Sequence, residues 1–372
     1  MIFTLSQYLF QDGIVSAALK LSIFLAGSQR YHVLQIDPPW DEADQTQPLQ
    51  AWLKQLSAPL GSAVRTVLDA SLDELANMGT SVRRVRVEPI LESRWRDGVL
   101  SPNDALRLMW TPLWLVLENG RTDLQFLRRI LEMPDREALD ERLADGRIEV
   151  PLGGGTGELK WFLEELATLP TSSHNAAQGA TGWIRRLRSW IMFDKDAHST
   201  DRDAPSKDSS NLRTLCEGMT TPFPFPGHQL CRRTIENYLP FEALHAWAES
   251  GGNKSKTRRK KVNAFVSNQF GASRRACFAM KDGLLKDSPK EIRDACKIDT
   301  TRELIDTEVD KVFHGIQDPK IRNRLRTGFG KDIGELYSNR SIGDQFFWAV
   351  FTNDPAALEW RKRIIDSLWE VF

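Results

Sequence analysis

Trp114-Leu115-Val116-Leu117-Glu118-Asn119-Gly120 begins with four apolar residues and ends at an acid and a glycine. A short, continuous apolar run of this kind is typical of a strand that is buried on both faces of a sheet. Apolar residues at helical spacing follow from Asp123 to Met133. This part of the chain therefore predicts a buried strand, a turn that carries an acid, and a helix.

The same order of strand and turn recurs twice further along the chain. Ile148 to Leu152 stops at Gly153-Gly154-Gly155 and precedes a second helical pattern, Glu158 to Leu169. Trp190 to Phe193 stops at Asp194-Lys195-Asp196. Because short buried strands that alternate with helices are typical of parallel sheets with crossover helices, we expect an α/β fold, a parallel sheet flanked by helices.

Changes in residue pattern divide the chain into three zones. Residues 1–110 mix short helical patterns with one expected strand, Tyr31 to Ile36, and form a mixed N-terminal domain in which we identify no chemistry. The α/β domain takes residues 111–240. Residues 241–372 have a mainly helical pattern. Their aromatic end, from Phe346 to Phe372, either completes the core or presents a face to a protein partner.

Composition is that of an ordinary globular protein. The chain has 372 residues, of which 41% are hydrophobic and 27% charged, so it is neither fibrous nor disordered. Fifty basic residues balance fifty acidic ones, so the net charge neither supports nor excludes nucleic-acid binding. The apolar stretch from Ile14 to Leu25 is interrupted by polar residues and is too short to span a bilayer. We therefore expect a core helix there, four reduced cysteines, and a cytoplasmic protein without a membrane partner.

Acidic side chains follow two of the expected strands. Sites in parallel sheets lie beyond the carboxyl ends of the strands. In Asp194-Lys195-Asp196, residues two apart point to the same side, so both carboxylates can face one point. Glu118 faces them if its strand is a neighbour, as a further ligand or as a general base. Because Mg²⁺ prefers oxygen ligands, we expect Glu118, Asp194 and Asp196 to be catalytic residues that hold one or two Mg²⁺ or Mn²⁺ ions.

Three segments, in this order, resemble the Toprim domain. Leu115 to Asp123 resembles its opening strand and turn, and Phe193 to Asp196 resembles its Asp-x-Asp strand. Arg233 to Pro240 is similar to the Glu-Asn-Tyr-Leu segment of Toprim nucleases related to the OLD (overcoming lysogenization defect) family. The resemblance covers residues 111–240, about a third of the chain. It implies a Toprim-like fold and a metal-dependent nuclease that cleaves DNA or RNA, with a role in anti-phage defence.

The resemblance also implies a second group of acidic metal ligands, for which Asp123 and Glu236 are the candidates. The usual turn has an acid four residues after the glutamate, whereas here Asn119 is inserted and Asp123 comes five residues after Glu118. Asp123 is therefore either a metal ligand or a cap of the helix that follows. The glycines after the second strand match the family's glycine turn, with a plain tight turn as the alternative. His198 is a further candidate neighbour of the metal, with a solvated loop position as its alternative.

A Walker A phosphate loop is absent from the glycine-rich segment that starts at Gly153, because the spacing to the lysine does not fit. OLD proteins carry an ATPase in the same polypeptide. The resemblance therefore implies that an ATPase partner of this chain is a separate subunit. Two other functions stay open: a non-catalytic Toprim-like module that binds nucleic acid or recruits that ATPase, and a primase-like polymerase.

A basic segment without any acid follows the expected site in sequence. On a nuclease its side chains would bind the phosphates of the substrate, whereas on other proteins such a run is a solvated helical face. The segment contains eight basic residues: Lys254, Lys256, Arg258, Arg259, Lys260, Lys261, Arg274 and Arg275.

Overall fold

The computed structural model describes residues 1–30, 32–41, 43–77, 82–151, 154–169, 176–197, 204–309 and 311–371. They form two four-stranded parallel sheets that are flanked by helices. The expected α/β class is confirmed in this coarse form. Every helix in the described part of the chain is too short or too polar to cross a bilayer.

The N-terminal zone contains a complete parallel sheet, in the strand order β2-β1-β3-β4, where the sequence predicted a single strand. Its strands are β1 (Ile2–Ser6), β2 (Val33–Asp37), β3 (Arg84–Val87) and β4 (Val99–Leu100). Its helices are α1 (Ala17–Arg30), α2 (Pro48–Gln55), α3 (Ala58–Asn77) and α4 (Pro102–Trp110), with 3₁₀ helices at Gln7–Phe10 and Trp95–Asp97. In β3 the buried valines alternate with exposed arginines, so the segment has no apolar run that would predict a strand. The core helix expected from Ile14 to Leu25 corresponds to α1, which buries Ile23 and Phe24.

The second sheet carries the three expected strands and a fourth. Its strands are β5 (Leu113–Leu117), β6 (Ile148–Glu149), β7 (Ser189–Phe193) and β8 (Gly227–Gln229). They lie in the order β6-β5-β7-β8, all parallel. The fourth strand consists of Gly, His and Gln, so no apolar run predicted it. Since β5 and β7 are neighbours, the residues that follow them meet at one edge of the sheet.

Helices cover both faces of the second sheet. They are α5 (Gly120–Ile130), α6 (Met133–Ala144), α7 (Thr156–Ala167) and α9 (Lys207–Gly218), whereas α8 (Ala176–Leu187) lies between α7 and β7 in sequence. On one face, Val116, Ile191 and Phe193 pack against α7 and α9. On the other face, Leu115 and Leu117 pack with α5, α6 and the C-terminal region. Helix α8 packs instead against the core of the N-terminal sheet.

The C-terminal region is mainly helical, as expected, and shares one apolar core with the second sheet. Its helices are α10 (Phe241–Glu249), α11 (Ser255–Val266), α12 (Ala272–Cys277), α13 (Lys290–Ile298), α14 (Pro319–Leu325), α15 (Asp344–Thr352) and α16 (Pro355–Val371). The 3₁₀ helices here are Ile235–Tyr238, Gly252–Lys254, Leu284–Asp287, Asp306–Glu308, Lys311–Phe313 and Lys331–Ser338. Trp360 on α16 stacks on Tyr238 with ring centroids 5.6 Å apart. The aromatic end of the chain thus completes the core, and the region is positioned to contribute side chains at the edge of the sheet.

Candidate functional site

Glu118 and Asp194 are in contact at the carboxyl ends of β5 and β7. The backbone N–H of Asp194 donates to Glu118 Oε2 at 3.0 Å. The carbonyl oxygen of Asp194 accepts a hydrogen bond of 2.6 Å from Ser209 Oγ on α9. The two acids thus lie together, because each directly follows one of two neighbouring strands.

Asp196 is held in an unusual backbone conformation beside them. Its φ of 47° makes it the non-glycine residue with a left-handed φ in the described part of the chain, a conformation that aspartate tolerates better than most residues. Its backbone N–H donates to the carbonyl of Arg233 at 2.8 Å. Arg233 is fixed in turn by a buried, bidentate ion pair with Asp287 from the C-terminal region. The turn after β7 is therefore anchored to the C-terminal region.

Asp123 and Glu236 complete the acidic cluster, which we define as Glu118, Asp123, Asp194, Asp196 and Glu236. Asp123 is buried on the first turn of α5, and its Oδ2 accepts the backbone N–H of Asn119 at 2.8 Å. Glu236 is only 1% exposed, on the 3₁₀ helix Ile235–Tyr238. Its Oε2 has no hydrogen-bond partner among the described residues. Asp123 thus makes the contact of a cap and also lies among the other acids.

Burial and mutual repulsion make Glu118, Asp123, Asp194 and Asp196 poor acids. Burial raises the pKa of Asp123 to about 7, and the charges of Glu118 and Glu236 act in the same direction. Burial, followed by repulsion from Glu118, raises the pKa of Asp194 well above its ordinary value. The pKa of Glu118 and that of Asp196 are raised mainly by burial. The folded chain therefore stabilises the negative charge of these four carboxylates poorly.

Lys281 is a cation that faces these acids, and sequence reasoning did not find it. Its Nζ lies 3.0 Å from Glu236 Oε1. Burial alone would lower the pKa of Lys281, but attraction to Glu236, Asp194 and Asp123 outweighs burial and raises it. No local motif marks Lys281, which lies in the loop between α12 and the 3₁₀ helix Leu284–Asp287. Only the packing of the C-terminal region against the sheet brings it to the cluster.

The donor chemistry of the cluster suits a hard divalent cation. All five side chains offer carboxylate oxygens, and one buried oxygen, Glu236 Oε2, lacks a partner in the described part of the chain. Within that part, no three His, Cys, Asp or Glu side chains are grouped closely enough to coordinate one metal ion. The carboxylates are engaged with Asp194 N–H, Asn119 N–H and Lys281. An incoming cation would compete with these contacts, above all with Lys281.

The basic segment is split between protein contacts and solvent. Arg258 lies over the Trp247 ring, 4.4 Å from its centroid, and Lys261 Nζ contacts Thr327 Oγ1 at 3.0 Å. Arg274 donates to the carbonyls of Val312, Gln269 and His314, and Arg275 lies over Phe241. The other four basic residues are exposed on α11 or just before it: Lys254, Lys256, Arg259 and Lys260. Half of the segment is therefore structural and half is open to a ligand.

Two predicted neighbours of the site are not among the described residues. Gly153 and His198 both fall outside them. Of the remaining glycines in that turn, Gly155 has a φ of +79°, which favours glycine. A Cβ added to Gly154 would lie 1.8 Å from the carboxylate of Glu158, so a side chain there requires Glu158 to move.

We expect Gly334→Ala to destabilise the protein by about 1–3 kcal/mol, because overpacking forces neighbours to shift. A Cβ at Gly334 would lie 2.6 Å from Thr122 Cγ2 and 3.0 Å from Glu236 Oε1. Urea unfolding measures the loss. Gly218→Ala is the matched control, since a Cβ there meets nothing within 4 Å, and its effect should stay below about 1 kcal/mol. Equal stability of the two variants would show that the 3₁₀ helix Lys331–Ser338 does not pack closely against Thr122 and Glu236.

Comparisons with protein families, with curated proteins and with solved structures find no match for this chain.

Proposed function

We propose that this chain is a Mg²⁺-dependent nuclease of the Toprim type that cleaves phosphodiester bonds in DNA or RNA. One observation carries the proposal: five acids from three separate segments of the chain meet at one edge of a parallel sheet, where burial, together with repulsion from Glu118 and Glu236, raises the pKa of Asp123 to about 7. Among the described lysines and arginines, only Lys281 forms an ion pair with a member of the cluster. Its Nζ lies 3.0 Å from Glu236 Oε1. A bound divalent cation removes that repulsion.

Each acid has a role in this proposal. Glu118, Asp194 and Asp196 hold Mg²⁺ or Mn²⁺, and Asp123 and Glu236 hold a second ion or support the first. The ion, when bound, supplies positive charge that stabilises the negative charge on the phosphate. Glu118 accepts the backbone N–H of Asp194 at Oε2, which leaves Oε1 either to coordinate the ion or to take a proton from an attacking water. Lys281 places a further positive charge beside the phosphate.

In this proposal, the exposed part of the basic segment binds the nucleic acid. Lys254, Lys256, Arg259 and Lys260 are exposed around the start of α11 and can each approach a phosphate. Arg258, Lys261, Arg274 and Arg275 are assigned to folding instead, because their charged groups contact protein atoms. By resemblance to the OLD family, we further propose a separately encoded ATPase subunit as a partner and a role in anti-phage defence.

A cleavage assay on plasmid DNA and on tRNA tests the proposal. We expect the full-length protein to cleave at least one of them in Mg²⁺ or Mn²⁺ and neither of them in EDTA. Cleavage that persists in EDTA would contradict the proposed role of the acids, and so would its absence with every substrate and ion.

A second candidate is a non-catalytic nucleic-acid-binding module that recruits an ATPase. It is favoured by the contacts that engage the acids, since Glu236 is paired with Lys281 and Asp123 with the backbone of Asn119. This candidate predicts that nucleic acid binds with the same affinity in Mg²⁺ and in EDTA and is not cleaved. The cleavage assay therefore separates the two functions.

A further inference from the structure

An open aromatic pocket lies on the same sheet as the acidic cluster. It is on the sheet face that α7 and α9 cover, and it has a volume of about 410 Å³. Its walls include Trp114 and Phe162, whose ring centroids are 6.2 Å apart at an interplanar angle of 32°. Trp161 stands at its mouth with 68% of its surface exposed. An exposed tryptophan at the mouth of a pocket of this volume is typical of a ligand site.

The pocket is joined to the acidic cluster through β5. Val116 lines the pocket, and Glu118 follows it by two residues along the same strand. At the rise of a β-strand, this separation amounts to about 7 Å. A ligand whose planar part occupies the pocket can therefore extend a charged part to the acids.

Polar groups at the pocket favour a nucleotide over a purely apolar ligand. The guanidinium of Arg185 lies over the Trp114 ring, 5.3 Å from its centroid, which places a positive charge behind the aromatic wall. The carboxylate of Glu158 lies over Gly154 at the rim and can accept N–H groups from the edge of a base. Because Gly154 has no side chain, the Glu158 carboxylate occupies the space beside its backbone.

We infer that this pocket binds a nucleobase of a single-stranded segment of the substrate, stacked on Trp161 and Phe162, with the adjoining phosphate at the acidic cluster. The inference rests on the proposed function, since it makes the pocket a subsite of the same active centre. It specifies the substrate as single-stranded, or as locally unpaired, because a paired base within a duplex cannot enter a pocket.

Oligonucleotide binding by the full-length protein in EDTA tests the pocket separately from cleavage. The probe is a fluorescein-labelled single strand of roughly 10 nucleotides, followed by anisotropy, and a blunt duplex of the same sequence is the comparison. We expect Trp161→Ala to weaken single-strand binding by roughly 5- to 100-fold, the range of one lost base–aromatic stack. Trp161→Phe should restore most of the affinity, because it keeps a flat ring. Tyr8→Ala is the matched control, since Tyr8 is an aromatic side chain of similar exposure, 63%, on the N-terminal domain.

The outcomes separate the pocket from the nuclease. Unchanged single-strand binding by Trp161→Ala would overturn the pocket inference even if metal-dependent cleavage is found. The inference would also be overturned if Trp161→Ala weakened single-strand and duplex binding equally, or if Trp161→Phe weakened single-strand binding as much as Trp161→Ala does. In either case base stacking would not be the cause. Selective loss that Phe restores supports the pocket even in a protein that cleaves nothing, and in that case only the nuclease function fails.

Discussion

Asp194→Ala should lower the rate of metal-dependent cleavage by at least about 10³-fold, because the charge stabilisation that a bound ion provides is worth several kcal/mol and each 1.36 kcal/mol is tenfold in rate. Asp194 directly follows β7, and its backbone N–H bonds to Glu118 Oε2, so it lies at the centre of the cluster. The readout is the initial rate of cleavage of the best substrate at saturating Mg²⁺.

Two further measurements make this loss interpretable. Asp194→Ala should fold as well as the wild type, since the raised pKa of Asp194 shows that its charge is poorly stabilised in the folded chain. Asp69→Ala, which removes an exposed carboxylate from α3, should cleave at the wild-type rate. If Asp194→Ala is folded and cleaves as fast as Asp69→Ala, the acidic cluster is not the nuclease site.

Without metal, the protein should lose stability as the pH rises from 5 to 8. The pKa of Asp123 is about 7 in the folded chain and 3.8 is its ordinary value, so the folded state binds the proton more tightly than the unfolded state. Its contribution to stability is therefore present in full below pH 3.8 and is lost as the pH rises towards 7. For this one group the free energy of unfolding should fall by about 2 to 3 kcal/mol between pH 5 and pH 8. Glu118, Asp194 and Asp196 shift in the same direction and steepen the fall.

Mg²⁺ should reverse this loss at pH 8 and have little effect at pH 5, where Asp123 is protonated. At a concentration of about 100 times Kd, the ion adds roughly 2.7 kcal/mol to the free energy of unfolding. Urea denaturation in EDTA and in Mg²⁺ at both pH values measures both effects. Asp123→Asn is the matched variant, because its amide oxygen can still accept the Asn119 N–H while its charge is gone. A wild-type protein whose stability does not change with pH in EDTA would show that the acids are solvated and independent of each other.

Three strands of the second sheet were predictable because they lie in apolar runs that end at acids or glycines, whereas the fourth, Gly227–Gln229, is not apolar. Leu113–Leu117 and Ser189–Phe193 enclose the predicted strands, and their turns carry Glu118 and Asp194 as expected. The N-terminal sheet was not predictable in the same way. Of its strands only β2 was predicted, and in Arg84–Val87 the charges of one face obscure the alternation of the buried valines. Arg83, which directly precedes that strand, is buried and donates to the carbonyl of Pro224 at 2.8 Å.

The acids could be predicted from sequence, but their surroundings could not. Local pattern places Glu118 and Asp194 at strand ends, whereas Lys281 and Gly334 reach the cluster only through the packing of the C-terminal region on the sheet. The same is true of Arg233, whose partner Asp287 lies in a distant 3₁₀ helix. Pairings between residues this far apart in sequence leave no local periodicity for sequence reasoning to find.

A crystal of the full-length protein soaked in Mn²⁺, with the anomalous signal of manganese, tests the central claim most directly. We predict a manganese peak between Glu118, Asp194 and Asp196, with carboxylate oxygens roughly 2.0–2.2 Å from the ion. Lys281 should have turned away from Glu236 if that carboxylate joins the ligands. A saturating soak that leaves the cluster without a peak, with Glu236 still paired to Lys281, would contradict the claim that these acids hold a metal ion.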